Sequence, residues 1–183
     1  MEAYISSVTA KRSTKKQSSK KQSSAGFCGR FRMGEETLVK DVMSSPAITI
    51  SAQAELLEAA LLMRQSGIRH VLVMEGERLV GVLTDRDMQR CAPSRLVPIT
   101  QEEYNAVFEN TSVERVMTRD PRTIQPQAKL LDAIAAFQEM RHGCLPVVDA
   151  GRVVGILTRW DLLEAFRQTL LGLPISRPAS LQR

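Results

Sequence analysis

Histidine is nearly missing from this 183-residue chain, which has only His70 and His142. Neither fits a Ser-His-acid or Cys-His arrangement, so the sequence predicts no catalytic centre of its own. Cysteine is scarce too. Cys28, Cys91 and Cys144 are odd in number and lack metal-ligand spacing, a pattern of free thiols in a reducing cytoplasm rather than of a disulfide framework. A metal site would need His70, Cys91, His142 and Cys144 to converge from separate segments, and none is expected. No apolar run approaches the roughly 18 residues needed to cross a bilayer. Acids are almost absent from one region only. Residues 1–32 carry eight Lys/Arg against the single acid Glu2, a charge of +7, so the remainder sums to −2 of the net +5. An argument for nucleic acid therefore rests on that segment alone.

What is present is an internal repeat. Asp41 to Met88 reappears as Arg115 to Leu162, shifted by 74 positions without a gap, with 16 of 48 positions identical. A repeat of about 50 residues is near the lower limit for a core of its own, so the two copies should fold against each other. The chain divides into 1–34, a disordered basic Ser/Lys-rich tail; 37–92, the first repeat; 93–112, a linker; 113–171, the second repeat; and 172–183, a C-terminal tail. The first segment lacks the apolar content to fold, and its lysines suit a polyanion. Met33 directly precedes the first repeat and is a candidate start of the working domain.

Each repeat reads as β-α-β-β-α. A β-prone stretch (Ala47 to Ile50; Arg122 to Ile124) leads to a helix, for which Ser51 is the expected N-cap and Pro126 an expected first-turn residue. Leu56, Leu57, Ala60 and Leu61 match Leu130, Leu131, Ile134 and Ala135 as one apolar stripe. Two strands follow around a Gly-containing turn: Val71 to Met74 with Leu79 to Leu83, and Leu145 to Val148 with Val153 to Leu157. Thr84 and Thr158 then open a closing helix. In the linker, Thr100 and Glu103 spell a capping box for a short helix through Phe108. The second closing helix is the longer, and Leu162, Leu163, Phe166, Leu170 and Leu171 form a stripe that suits either its own sheet or an oligomer contact.

Both copies end in Gly-hydrophobic-Leu-Thr-x-x-Asp, at 81–87 and 155–161. Thr-x-x-Asp at a helix mouth is a capping arrangement, worth about 1 kcal/mol. The same geometry holds a carboxylate where it can accept ribose hydroxyls, beside a helix end that attracts phosphate. Both readings stand on the motif alone.

With Val-Met at 42–43 and 116–117, Thr-Ile at 49–50 and 123–124, and Leu145-Pro146-Val147-Val148-Asp149, the motif resembles a pair of CBS (cystathionine-β-synthase) domains, a Bateman module. The resemblance covers residues 37 to 171 and is strong in its order and spacing. The inter-repeat segment is loosely similar to that of acetoin-utilisation-type CBS proteins. It implies an α/β (α+β) fold of two repeats packed sheet to sheet with pseudo-twofold symmetry. It also implies two clefts that take AMP, ADP, ATP or S-adenosylmethionine, with no cofactor required. By position one cleft would use Thr49, Val71, Leu72, Thr84 and Asp87, and the other Thr123, Leu145, Pro146, Thr158 and Asp161. Phosphates would meet Arg69, His70 and Arg86 on one side and Arg141, His142 and Arg159 on the other. Arg159 replaces Asp85, so the Thr158/Asp161 cleft is expected to bind anions better; Trp160 is a candidate for stacking on a base or for an interface.

The function implied is a non-catalytic cytoplasmic sensor, acting as a homodimer or on an unidentified protein target. The competing reading is a ligand-free dimeric scaffold whose basic tail holds nucleic acid or another polyanion.

Overall fold

The computed structural model describes residues 37–93, 100–140 and 143–175. The first repeat runs α1 (Val39–Val42), β1 (Thr49–Ser51), α2 (Leu56–Ser66), β2 (His70–Glu75), β3 (Arg78–Thr84) and α3 (Asp85–Cys91). The linker helix α4 (Gln101–Glu109) follows, then a 3-10 turn at Val113–Arg115. The second repeat has β4 (Thr118–Arg119), α5 (Leu130–Glu139), β5 (Cys144–Asp149), β6 (Arg152–Thr158) and α6 (Arg159–Leu170). The expected hairpins are present, turning at Gly76 (φ 60) and at Ala150–Gly151 (φ 47 and 81). The α4 capping box forms as read: Thr100 Oγ1 accepts from Glu103 N–H, and Thr100 N–H donates to the Glu103 carboxylate at 2.8 Å.

The two repeats exchange their lead-in segments. Leu38 bridges Lys129, and 74 positions on Ser112 bridges Glu55. Val39 N–H donates to Ala128 O at 3.0 Å and Val113 N–H to Ala54 O at 2.8 Å. Ser44 pairs with Ile156 on β6, as Thr118 pairs with Val82 on β3. The chain before each repeat thus extends the other repeat's sheet. Its apolar residues follow: Val113 and Met117 enter the core around Leu56, Val71 and Leu83, whereas Val39 and Val42 enter the core around Leu130, Leu145 and Leu157. Alternation along β2 points Val71 and Val73 at the helices and Leu72 at the other repeat. There Leu72, Val82 and Cys144, with Ala47, Leu79, Val153 and Ile156, form the seam between the sheets.

Two expectations need correction. The helices do not begin after Ser51 or at Pro126 but at Leu56 and Leu130, with Glu55 and Lys129 as N-caps that supply no side-chain cap. Backbone from the exchanged segments does that work: Leu56 N–H donates to Thr111 O and Leu130 N–H to Thr37 O, each at 2.9 Å. Ser51 Oγ instead accepts from Gln53 N–H inside the preceding turn. The second correction concerns the strand at Arg122 to Ile124, which is a single parallel bridge from Ile124 to Val147. In the first repeat β1 gains two rungs, from Leu72 N–H to Ile48 O at 3.2 Å and from Ala52 N–H to Met74 O at 2.9 Å. The matching donors in the second repeat are Pro146 and Pro126, which have no N–H.

Candidate ligand clefts at the two helix mouths

Both motif carboxylates sit in completed capping boxes. Thr84 Oγ1–H and N–H both donate to Asp87 Oδ2, at 2.6 and 3.1 Å, while Asp87 N–H donates to Thr84 Oγ1 at 3.2 Å. In the second repeat the corresponding distances are 2.6, 2.7 and 3.3 Å, between Thr158 and Asp161. The capping reading of the motif is therefore satisfied in full. Only one oxygen of each carboxylate is consumed by it. Oδ1 of each acid is turned away from the cap, and these atoms decide what a cleft can accept.

The two Oδ1 atoms differ. Asp87 Oδ1 lies 3.6 Å from Arg90, and the Asp87 side chain is 16% exposed. Asp161 is 1% exposed, and its Oδ1 accepts from Ser44 Oγ–H at 3.4 Å. Ser44 belongs to the lead-in of the other repeat. The Asp161 carboxylate is therefore tied across the seam to the other repeat, a contact that the grouping drawn from position did not include. Sequence reasoning missed Ser44; its signal was the matched hydroxyl pair Ser44/Thr118 directly after the two Val-Met markers.

The asymmetry extends to Arg159 and Asp85, on which the expected difference between the clefts rested. Arg159 was expected to serve phosphate, but its guanidinium donates to Phe137 O and Met140 O at 3.3 and 3.0 Å, capping the end of α5. It also lies 6.0 Å from the Phe137 ring. Asp87 is the more accessible carboxylate. Asp85, at the start of α3, accepts from Gln89 at 2.8 Å.

His70 stands at the first position of β2, opposite Thr84. Its ring packs on Gly143, where a Cβ would meet Nε2 at 3.0 Å. Burial holds its pKa below 6.5, opposed by the charges of Asp87 and Asp161 and reinforced by Arg69. One imidazole thus feels both motif acids. Its counterpart 74 residues on is Cys144, whose thiol is pushed up to about 12, chiefly by burial and then by the charge of Asp87. That thiol stays protonated and inert.

The other expected residues divide by burial. Val71, Leu72 and Leu145 are fully buried and Pro146 is buried. Thr49, Thr123, Arg69 and Arg86 are exposed, and Thr84 and Thr158 partly so. Arg141 and His142 lie outside the described residues. An open cleft of about 520 Å³ lies at the hairpin-turn end, between Arg78, Asp120 and Gly151. Of the expected set, Thr123 alone lines it. Trp160 is 63% exposed. No His/Cys/Asp/Glu group suited to a metal occurs among the described residues, nor does any helix long and apolar enough to cross a membrane.

Comparison with known proteins agrees with this architecture. The family model of the CBS domain matches residues 39–93 and 113–168. A CBS domain-containing protein of Dictyostelium discoideum is 29% identical over 141 residues, covering 76% of this chain and 97% of that one. Three other curated relatives are longer enzymes, of which this chain spans only 15 to 24%. A Vibrio cholerae protein assigned to acetoin utilization has a similar structure, with TM-score 0.61 and 30% identity over 74% of this chain and 93% of its own. The CBS domain pair of protein MJ0100, solved with 5'-methylthioadenosine and S-adenosyl-L-methionine, gives TM-score 0.58 at 29% identity, covering 71% of this chain and 99% of that one. CBSX2, solved with AMP, gives 0.58 at 26%, covering 72% and 96%.

Proposed function

This chain belongs to the CBS-domain family, and from that premise we propose that it is a non-catalytic sensor of adenine nucleotides or related adenosyl compounds. The observation that carries the reading is the pair of helix-mouth carboxylates. In each, one oxygen is fixed by the cap; the other meets Arg90 on the same helix at Asp87 and the Ser44 hydroxyl of the other repeat at Asp161. A carboxylate oriented in advance suits a ribose, whose two hydroxyls it accepts without first being ordered. The relatives solved with AMP, methylthioadenosine and S-adenosylmethionine carry the same adenosyl group, which supports that ligand class. Arg69, Arg86 and His70 then stand on the side where a 5' substituent would lie.

The clefts are unequal in this reading. Asp87 takes ligand directly, whereas a ligand at Asp161 must first displace the Ser44 hydroxyl. Occupancy therefore favours the Asp87 side, and binding at Asp161 disturbs the lead-in of the first repeat. A ligand shifts such an equilibrium only by its differential affinity for the two states. The site of action is the cytoplasm, where the ligand is abundant and a buried thiol such as Cys144 stays reduced.

Thermal-shift measurements with AMP, ATP, S-adenosylmethionine and methylthioadenosine test this. Ligand at 100 times its Kd should stabilise the wild type by about 2.7 kcal/mol. Asp87→Ala, compared with its own ligand-free melt, should lose most of that shift, and Ser44→Ala should retain or enlarge it. Melting unaltered by all four compounds would refute the reading and leave the ligand-free scaffold.

A further inference from the structure

We propose that His70 joins the two clefts into one proton-sensitive device. Neutral, it leaves both motif carboxylates to a ligand; protonated, it is drawn between Asp87 and Asp161 and closes both. The proposal rests on the adenosyl reading above and adds its regulation by pH.

The backbone sets the imidazole between the two helix mouths. Arg69 O accepts from Asp85 N–H, the first of α3, and Gly143 O accepts from Arg159 N–H, the first of α6, each at 3.1 Å. His70 follows the first of these carbonyls along β2, and its ring lies against the residue that bears the second. A Cβ there would meet Nε2 at 3.0 Å and Cε1 at 3.5 Å, so the ring fills space that glycine leaves open. Register along the hairpin places His70 opposite Thr84, whose hydroxyl is bonded to Asp87 at 2.6 Å.

The matching place in the second repeat holds no such group. Shifted by 74 positions, Arg69 and His70 fall on Gly143 and Cys144. One has no side chain, and the other is a buried thiol that stays protonated. Two clefts thus share a single imidazole. Among the described residues, the charged groups around it are Asp85, Asp87 and Arg90 on α3, Asp161 and Arg159 on α6, and Arg69 beside it. Asp85 bonds to Gln89, and Arg159 bonds to the end of α5. A cation at His70 is therefore attracted by the two motif acids and opposed by Arg69. Both ring nitrogens donate in the cation, one for each acid. Such charge-assisted bonds are stronger than those of a neutral ribose hydroxyl. A ligand that needs the carboxylates as acceptors therefore selects neutral His70, so its binding should release a proton and weaken in acid.

5'-Methylthioadenosine is the probe, because it carries the ribose without a phosphate that titrates in the same range. Titration calorimetry on the full chain, at about pH 7.5 and about pH 5, should show Kd rising at least about threefold in acid as the neutral fraction shrinks. In wild type near pH 6, the heats in buffers of unlike ionisation enthalpy should report proton release. His70→Gln should bind with one Kd at both pH values and release no proton. Asp161→Asn should shrink the pH effect on binding at Asp87, because one of the two attracting charges is gone. Circular dichroism at both pH values shows whether each variant is folded, and the proton count in wild type needs no variant. Equal wild-type Kd values without proton release would overturn the proposal. So would a pH effect left intact by His70→Gln or by Asp161→Asn. Absence of binding at the higher pH would remove the adenosyl reading and the coupling with it.

Discussion

His70 shows how much one side chain at the seam is asked to reconcile. Burial disfavours its cation, the two motif acids favour it, and burial wins, so the folded pKa lies below 6.5. The unfolded chain then binds the extra proton first as pH falls. Stability contributed by neutral His70 is whole above about pH 6.5 and is lost progressively as pH falls from there toward the folded value. We expect chemical denaturation to show wild-type stability falling as pH drops below about 6.5. The fall should be shallower in His70→Gln. Equal slopes in the two proteins would show that His70 is not the titrating group. The acids Glu114 and Glu164, lowered by bonds to Arg119 and Arg167 respectively, act at lower pH and do not confuse the comparison.

Strands β3 and β6 depend on their glycines for a reason outside their own hairpins. A Cβ on Gly155 would stand 2.7 Å from Ser44 O and 2.8 Å from Met43 Sδ. The first is backbone, bonded to Ile156 N–H at 2.9 Å, and cannot swing aside. Gly155→Ala should therefore cost about 1–3 kcal/mol by overpacking, read as a lower denaturation midpoint at an unchanged m-value. Gly81 meets the flexible Met117 thioether first, although Thr118 O lies at 3.0 Å. Gly81→Ala should be the milder of the two, and the reverse order would contradict this account. The Val-Met and Gly-x-Leu-Thr markers, far apart in sequence, are thus the two sides of one contact.

For the whole molecule, the exchanged lead-ins make each core a joint product. Val113 is fully buried in the core of the first repeat, and Val39 in that of the second. The repeats should melt together, in one calorimetric transition whose enthalpy matches the van't Hoff value. Val113→Ala, which leaves a cavity worth about 1–3 kcal/mol, should move that entire transition by a few degrees. Two transitions, with Val113→Ala shifting one of them, would refute the coupling. Pairing two 50-residue units in this way also explains how repeats too small to stand alone are stable.

Local chemistry was legible in the chain itself. The hairpins, the α4 box and both Thr-x-x-Asp caps form where turn glycines and Thr-to-acid spacing placed them, because those interactions close within four residues. The α2 and α5 starts were misplaced because the groups that satisfy them lie in the other repeat, beyond the reach of a capping rule. The order of the two carboxylates was likewise decided in three dimensions. Ser44 reaches Asp161 only because the lead-in crosses over, and Arg159 turns to the end of α5 because those carbonyls need a donor. Short-range spacing set the family and the motif; accessibility is a property of packed surfaces, so only the tertiary structure could say which acid is the more exposed.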